Sequence, residues 1–235
     1  MNRLLLIVLF PFTVWAQQGV HVEMKITQTK GMGGSLHLYA DTLGKRMEYR
    51  IGSGQKDEKR HIISLLRTDM PDTIFWMHEP SNCFSAAPRD HAILPDKVKY
   101  KVEILGDTVI SGYACKHVQV LGVKSAYEFW NTTQIDGRKF IEIMATDRRW
   151  LTTERMEAVT LAGAGGFPVK MLQRSPMEGE TTIELVKIEK KKLDKKLFEA
   201  PATYSRMSPI ASEAPKSNQY PARDTIRSMP GKNSK

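Results

Sequence analysis

Two features of the sequence predict an α+β fold built on an antiparallel sheet. Strict apolar/polar alternation recurs in short runs from Val20 to Trp130 and again after Gly166, each run bounded by Gly- or Pro-containing breakers. Between them, Phe140, Ile143, Met144, Leu151, Met156 and Val159 follow helical spacing instead, which predicts one or two helices.

The first strand sets Val20, Val22, Met24 and Ile26 against His21, Glu23, Lys25 and Thr27. Gly31-Met32-Gly33-Gly34 turns the chain into Leu36, Leu38 and Ala40, and Leu43-Gly44 turns it into Met47, Tyr49 and Ile51. Three consecutive strands with such turns make a meander. Gly52 to Arg60 reads as a polar loop, His61 to Thr68 as a strand, Met70-Pro71-Asp72 as a turn, and Thr73 to Met77 as the most apolar strand. Pro80 to Pro95, rich in breakers and holding Cys83, is expected to be a loop. Val98 to Ile104 is a strand that Gly106-Asp107 should turn, Ser111-Gly112 introduces the strand Tyr113 to Leu121, and Tyr127-Glu128-Phe129-Trp130 begins another. Gly163 to Gly166 stops the helical stretch, since no Lys-Ser or Lys-Thr follows to make a phosphate loop.

From Gly165 to Tyr204 the chain predicts a closing hairpin. Val169, Met171 and Gln173 form one strand, Ser175-Pro176 and Gly179 reverse it, and Ile183, Leu185 and Lys187 continue in the second. Asp194 is placed to cap one helical turn whose Leu193, Leu197 and Phe198 share an apolar side, ended by Pro201. This plugged hairpin is expected at an edge of the fold, with its lysines solvated.

The two ends read differently. Met1 to Ala16 has one basic residue, Arg3, an apolar run from Leu4 to Phe12, and Val14-Trp15-Ala16 before Gln17, the pattern of a secretory signal peptide cleaved after Ala16. The run is well short of the ~20 residues that span a bilayer, and Ala16 is not followed by the cysteine that a lipoprotein leader requires. A soluble periplasmic or extracellular protein is therefore expected. Beyond Met207 the chain is rich in Ser, Pro, Lys, Arg and Asn and is read as a disordered basic tail, 208–235, which leaves residues 18–207 as a single domain.

Charge excludes more than it assigns. The chain has 35 basic and 26 acidic residues, net +9; losing Arg3 with the leader leaves about +8, which suits an anionic envelope surface and peripheral membrane contact. Nucleic acid is not the expected partner, because Lys187, Lys190, Lys191, Lys192, Lys195 and Lys196 are interleaved with Glu184, Glu189 and Asp194 and have no aromatic residues among them for stacking. Cys83 and Cys115 are the only cysteines; they either pair or stay separate buried thiols, and neither has a second ligand at metal-binding spacing. The six histidines, His21, His37, His61, His78, His91 and His117, show no paired metal-ligand spacing, so no metal or cofactor is expected. They read as surface or hydrogen-bonded residues. Asn131-Thr132-Thr133 fits a glycosylation sequon but is read as a strand end.

The meander, the Gly112-Tyr113-Ala114-Cys115 strand, the Phe129-Trp130 strand, the helical stretch, Gly165 to Met171 and Leu193 to Tyr204 together resemble an exported bacterial domain-of-unknown-function family. That family is similar in turn to the outer-membrane lipoprotein carrier superfamily, LolA and LolB. The resemblance implies a strongly curved antiparallel sheet, an unclosed barrel, with helices covering its concave face and an apolar space between them. It also implies an arginine on an inner strand, for which Arg46 and Arg50 are the candidates, although alternation sets both opposite Met47 and Tyr49.

Within that space Phe75, Trp76, Met77, Tyr127, Phe129, Trp130 and Met171 are the ligand-binding candidates, since aromatic and Met side chains suit an adaptable apolar cavity. Alternate members equally fill a core between sheet and helices, and Phe75 and Trp76 cannot both point inward. The expected function is non-enzymatic binding of a lipid-like ligand, an acyl chain or a lipidated envelope partner. A filled interaction module that engages another envelope protein through its tail is the alternative. An exported hydrolase would need a compact cluster of His with Asp, Glu or Ser that the linear order hides.

Overall fold

A computed structural model describes residues 18–29, 32–53, 59–89, 100–122, 126–146, 153–175 and 179–207. The expected leader and tail lie outside them. The described strands are β1 (Gly19–Gln28), β2 (Met32–Ala40), β3 (Gly44–Ser53), β4 (Lys59–Arg67), β5 (Met70–His78), β6 (Cys83–Pro88), β7 (Lys101–Ile110), β8 (Tyr113–Leu121), β9 (Ala126–Thr132), β10 (Phe167–Ser175), β11 (Gly179–Lys191) and β12 (Ser205–Arg206). They form one sheet in the order β12-β6-β5-β4-β3-β2-β1-β11-β10-β9-β8-β7. Every pairing is antiparallel except β12 with β6. The sheet curves without closing, and helices α1 (Arg138–Met144) and α2 (Thr153–Leu161) cover its concave face, so the fold is α+β as expected.

The helix-side core gathers the inward residues of nine strands with Phe140, Ile143 and Met144 of α1 and Met156 and Val159 of α2. Phe140 meets Phe167 edge-on at 6.0 Å, a favoured aromatic geometry that ties α1 to the start of β10. Glu142 on the far side of α1 is clamped by Lys45 of β3 and Arg89 beyond β6. Helix α2 ends in a Schellman motif: Gly163 takes φ +78°, its N–H reaches Thr160 O, and the Ala164 N–H reaches Val159 O. The buried Asn131 side chain donates to Ala164 O at 2.8 Å, so this residue anchors the loop to β9 and is no exposed sequon.

Four expectations are corrected. The stretch read as a loop after Pro80 contains β6, whose small residues carry no alternation signal but whose Phe84 and Ala86 pack on a second core. Met70 opens β5 instead of turning it, because Thr68 and Asp69 make that turn. Gly106 does not end β7: the register shifts between Ile104 and Gly106, the glycine takes φ +139°, and the strand runs on through this bulge. The hairpin forms at Ser111 (φ +50°) and Gly112 (φ +82°), two left-handed residues of the kind that twist with the strands they join. The closing hairpin is not an edge either. Strand β11 lies between β1 and β10, and the true ends of the sheet are β7 and β12.

The closing turn packs where the sequence could not place it, on the outer face. Asp194 Oδ1 accepts the Lys196 N–H at 3.0 Å and caps the 3-10 turn Lys195–Phe198. Leu193 and Phe198 then cover Ile63, Leu65, Phe75 and Met77, with Tyr39, Leu197, Ala200 and Tyr204 around them. The sheet therefore has an apolar core on each side.

Candidate functional site

The seven candidate residues divide between the two faces. Trp76, Tyr127, Phe129 and Met171 face the helices, whereas Phe75 and Met77 lie under the Leu193–Phe198 plug. Trp130 is two residues from Glu128 on β9, packs in part against the helix-side core, and stacks on His117 at 4.2 Å, with Lys170 Nζ 5.2 Å from its ring centre. His117 and Arg174 both hold Glu128 there; burial works against that carboxylate, and Arg174 and His117 outweigh it and keep its pKa below the ordinary value. Trp76 is also set apart, because six strands lie between β5 and β9 in the sheet.

What remains together is a row across β8, β9, β10, β11 and β1. Val118, Phe129, Met171, Ile183 and Ile26 are register partners in turn, all at most 3% exposed. Tyr127 lies one inward position along β9, its ring nearly parallel to that of Phe129. The same core holds Met24, Met47, Met144, Met156 and Met171, unbranched side chains that repack at low cost.

Into this surface α2 places Arg155, only 4% exposed. Its guanidinium carbon stands 3.7 Å from the Tyr127 ring centre and 5.2 Å from that of Tyr100, and Nη2 is 3.4 Å from the Tyr100 hydroxyl. Such stacking on aromatic faces favours a desolvated cation. Gln173, the register partner of Tyr127, has a buried Oε1 with no hydrogen-bond partner among the described residues. Arg155 and Gln173 give the apolar interior a polar end. Neither carries a site signal in the sequence: Arg155 lies in a weakly patterned helix and Gln173 shows only a strand position.

Cys83 and Cys115 are both free and buried, on β6 and β8. Cys115 Sγ donates to Tyr113 O at 3.2 Å, and burial pushes its thiol pKa up.

The outer face carries a polar assembly that linear spacing hid. Arg46 and Arg50 do stand opposite Met47 and Tyr49, flanking Glu48, whose side chain is 4% exposed; Arg46 Nε and Arg50 Nη2 each donate to it at 2.7 Å. Arg46 Nη1 also donates to Leu197 O at 2.9 Å, tying this network to the plug. His61 lies 3.5 Å from Glu48 and 2.6 Å from Glu79. Further along the same face, Ser35, His37, His21 and Tyr39 adjoin one another on β2 and β1, the three rings stacked. A cavity of about 690 Å³ opens beside them, its described walls including Gly34, Ser35, Arg50, His61, Glu79 and Pro80.

With this geometry in place, the family described as "Domain of unknown function (DUF4412)" matches residues 18–204. The chain belongs to the DUF4412 family. No curated protein matches the sequence. Among solved structures, the DUF4412 chain is similar to an uncharacterized conserved protein from Thermus thermophilus, with a TM-score of 0.48 and 8% identity over 81% of this chain and 90% of that one. It is similar to MucB, crystallised in complex with MucA(peri), with a TM-score of 0.43 and 9% identity over 82% of this chain and 58% of that one. It is also similar to the LolA superfamily protein NE2245 from Nitrosomonas europaea, with a TM-score of 0.29 and 7% identity over 81% and 91%. Among the described residues no group of three or more His, Cys, Asp or Glu is placed to hold a metal, and no helix is long and apolar enough to cross a membrane.

Proposed function

We infer that this DUF4412 domain binds an amphiphile with an apolar tail and an anionic head in its helix-side interior, and that it does so as an exported envelope protein. The placement of Arg155 carries this reading: a buried guanidinium laid on Tyr127, at one end of a methionine-rich surface. An acyl chain lying along Phe129 and Met171 gains ~0.8 kcal/mol per methylene buried. The head group then meets Arg155, Tyr100 and Gln173, where low polarity strengthens a charge-assisted hydrogen bond. Met156 and Met171 yield to tails of different shape, so selection falls on the head. The basic surface supplies long-range attraction to anionic lipid. The leader-like pattern read in residues 1–16 supports an envelope location.

Native mass spectrometry with organic extraction, on protein recovered from the periplasm of a bacterial host, tests the reading. The expected result is one acyl species per chain, and uptake of a long-chain fatty acid in preference to the alcohol of equal length. Arg155→Met should abolish that preference and retain alcohol uptake, while Tyr204→Ala on the outer face should change neither. A bare polypeptide mass, with no uptake from phosphatidylglycerol vesicles, would sink the proposal and leave a filled interaction module.

A further inference from the structure

On the opposite side of the sheet a run of polar contacts crosses three strands in one direction. Ser35 and His37 are two residues apart on β2 and so share a face. His21 is on β1, and Glu189 of β11 is its register partner. Ser35 Oγ lies 3.0 Å from His37 Nε2, His37 Nδ1 lies 3.2 Å from His21 Nε2, and His21 Nδ1 lies 3.7 Å from a Glu189 oxygen. A neutral imidazole has one donor and one acceptor nitrogen. One assignment suits every contact: His21 keeps its proton on Nδ1 facing the carboxylate, its Nε2 accepts from His37 Nδ1–H, and His37 Nε2 is left to accept the Ser35 hydroxyl. The reverse assignment would set a lone pair of His21 against Glu189.

The surroundings keep that assignment in place. His21 is buried, and the carboxylate of Glu189 faces its Nδ1 from 3.7 Å, just beyond hydrogen-bond distance. Its ring lies nearly parallel to those of Tyr39, at 4.6 Å, and His37, at 5.5 Å, which fixes the ring plane. Ser35 forms part of the wall of the 690 Å³ cavity, a volume suited to a small organic substrate. Arg50 is the register partner of Ser35 on β3 and lines the same cavity, where its Nη2 donates to Glu48 and its Nε to His61, so a cation is held on the wall that Ser35 shares.

We propose that Ser35 is the nucleophile of an ester-hydrolysing site, with His37 as its base, His21 and Glu189 as positioning residues, and Arg50 as the cation for the oxyanion. Ser35 Oγ attacks the ester carbonyl carbon and its proton passes to His37 Nε2. The C–O bond to the alcohol then breaks, the alcohol leaves with that proton, and an acyl-Ser35 remains. Water attacks the acyl group, gives a proton to His37, and the acid departs as Ser35 Oγ takes that proton back. Ester and water thus give acid and alcohol, with no other reactant.

Burial pulls both imidazoles below their ordinary pKa, so they are neutral and able to accept a proton at pH 7. The charged and titratable groups around them are Glu23 on β1, Tyr39 on β2, Glu48 and Arg50 on β3, His61 on β4, and Glu189 and Lys191 on β11. This site is on the face opposite Arg155, and its success or failure is independent of ligand binding in the interior.

The test uses the full chain with a fluorophosphonate probe, intact mass and peptide mapping, and p-nitrophenyl esters from acetate to octanoate. A single adduct on Ser35 is expected, absent in Ser35→Ala, together with turnover of the short esters. His37→Gln should lower kcat by ~100-fold or more. His21→Asn should lower kcat and shift the acid limb of the kcat/KM profile, which a merely structural residue would leave in place. Lack of a Ser35 adduct on the wild type overturns the proposal. So does undiminished ester turnover in a Ser35→Ala variant with the wild-type melting temperature. If that variant does not fold, the mapped site on the wild type decides alone.

Discussion

Glu48→Gln removes one charge from the outer face and alters little else. Glu48 accepts from Arg46 and Arg50 at the same 2.7 Å, but the side chain of Arg46 is 9% exposed and that of Arg50 is 54% exposed. The Arg50 contact, half in water, contributes no more than ~1 kcal/mol. Arg46 sets the magnitude: stripping the partner from a buried ion costs roughly 3–5 kcal/mol, and the amide oxygen of Gln still accepts from Nε, which places the loss near the lower end, about 3 kcal/mol. With a urea m value of about 3 kcal/mol per M for a chain of this size, the midpoint should fall by about 1 M at unchanged m. Arg50→Ala should move it by less than about 0.3 M. The pH dependence supplies a second reading. Burial opposes ionisation of Glu48, yet Arg46 and then Arg50 outweigh it and hold the carboxyl below its ordinary 4.5. Because the folded pKa is the lower one, this contribution is complete above pH 4.5 and is lost as pH falls through the folded value, so wild type and Glu48→Gln should converge in acid. A Glu48→Gln midpoint shift no larger than that of Arg50→Ala, with parallel pH curves, would refute the reasoning.

Two more outcomes follow from burial. Phe198→Ala empties the centre of the outer plug, where Phe198 is 3% exposed, and should cost ~3–5 kcal/mol, roughly 10 °C in Tm; a loss below ~1 kcal/mol would mean that the plug is not part of the cooperative fold. His21 and His37 are held neutral by burial, with pKa values below the ordinary 6.5, so the unfolded chain binds protons first: stability should be full above pH 6.5 and fall as pH drops toward their folded values. His21→Gln should flatten that fall in urea titrations between pH 7 and 5.5, and an unchanged slope would count against the buried neutral ring.

Most strands were legible because period-two alternation is a local signal. Val20 to Ile26, Leu36 to Ala40 and Met47 to Ile51 each write one buried face into their own residues. Strand β6 was not legible: Cys83 to Pro88 is specified by pairing with β5 and by Phe84 and Ala86 meeting the plug, both distant in sequence. The central position of β11 was hidden for the same reason. Its lysines suggested an edge, but its partner β1 comes from the other end of the chain, and Glu189 is held at a pKa of about 2 by Lys187 and then Lys191. Alternation did establish that Phe75 and Trp76 face opposite ways. It could not show that the outward face would also be covered, and the structure places Phe75 and Met77 in that outer core.

The histidines show where a linear reading loses a site. His21 and His37 are sixteen residues apart, with no motif between them, yet the β1–β2 register brings their rings together and the β1–β11 register adds Glu189. The usable sequence signal was the pair Ser35 and His37, two apart on a strand and hence on one face. Their setting depends on Gly34, whose neighbour across β3 comes so close that an added Cβ would lie 1.9 Å from Arg50 O. No side chain fits there, so the backbones of β2 and β3 meet with nothing between them on the inner side, and Ser35 is set across from Arg50 on the outer side. One glycine on the helix-side face thus fixes the pairing of two polar residues on the other face. That coupling belongs to the register of the folded sheet, and alternation within a single strand cannot express it.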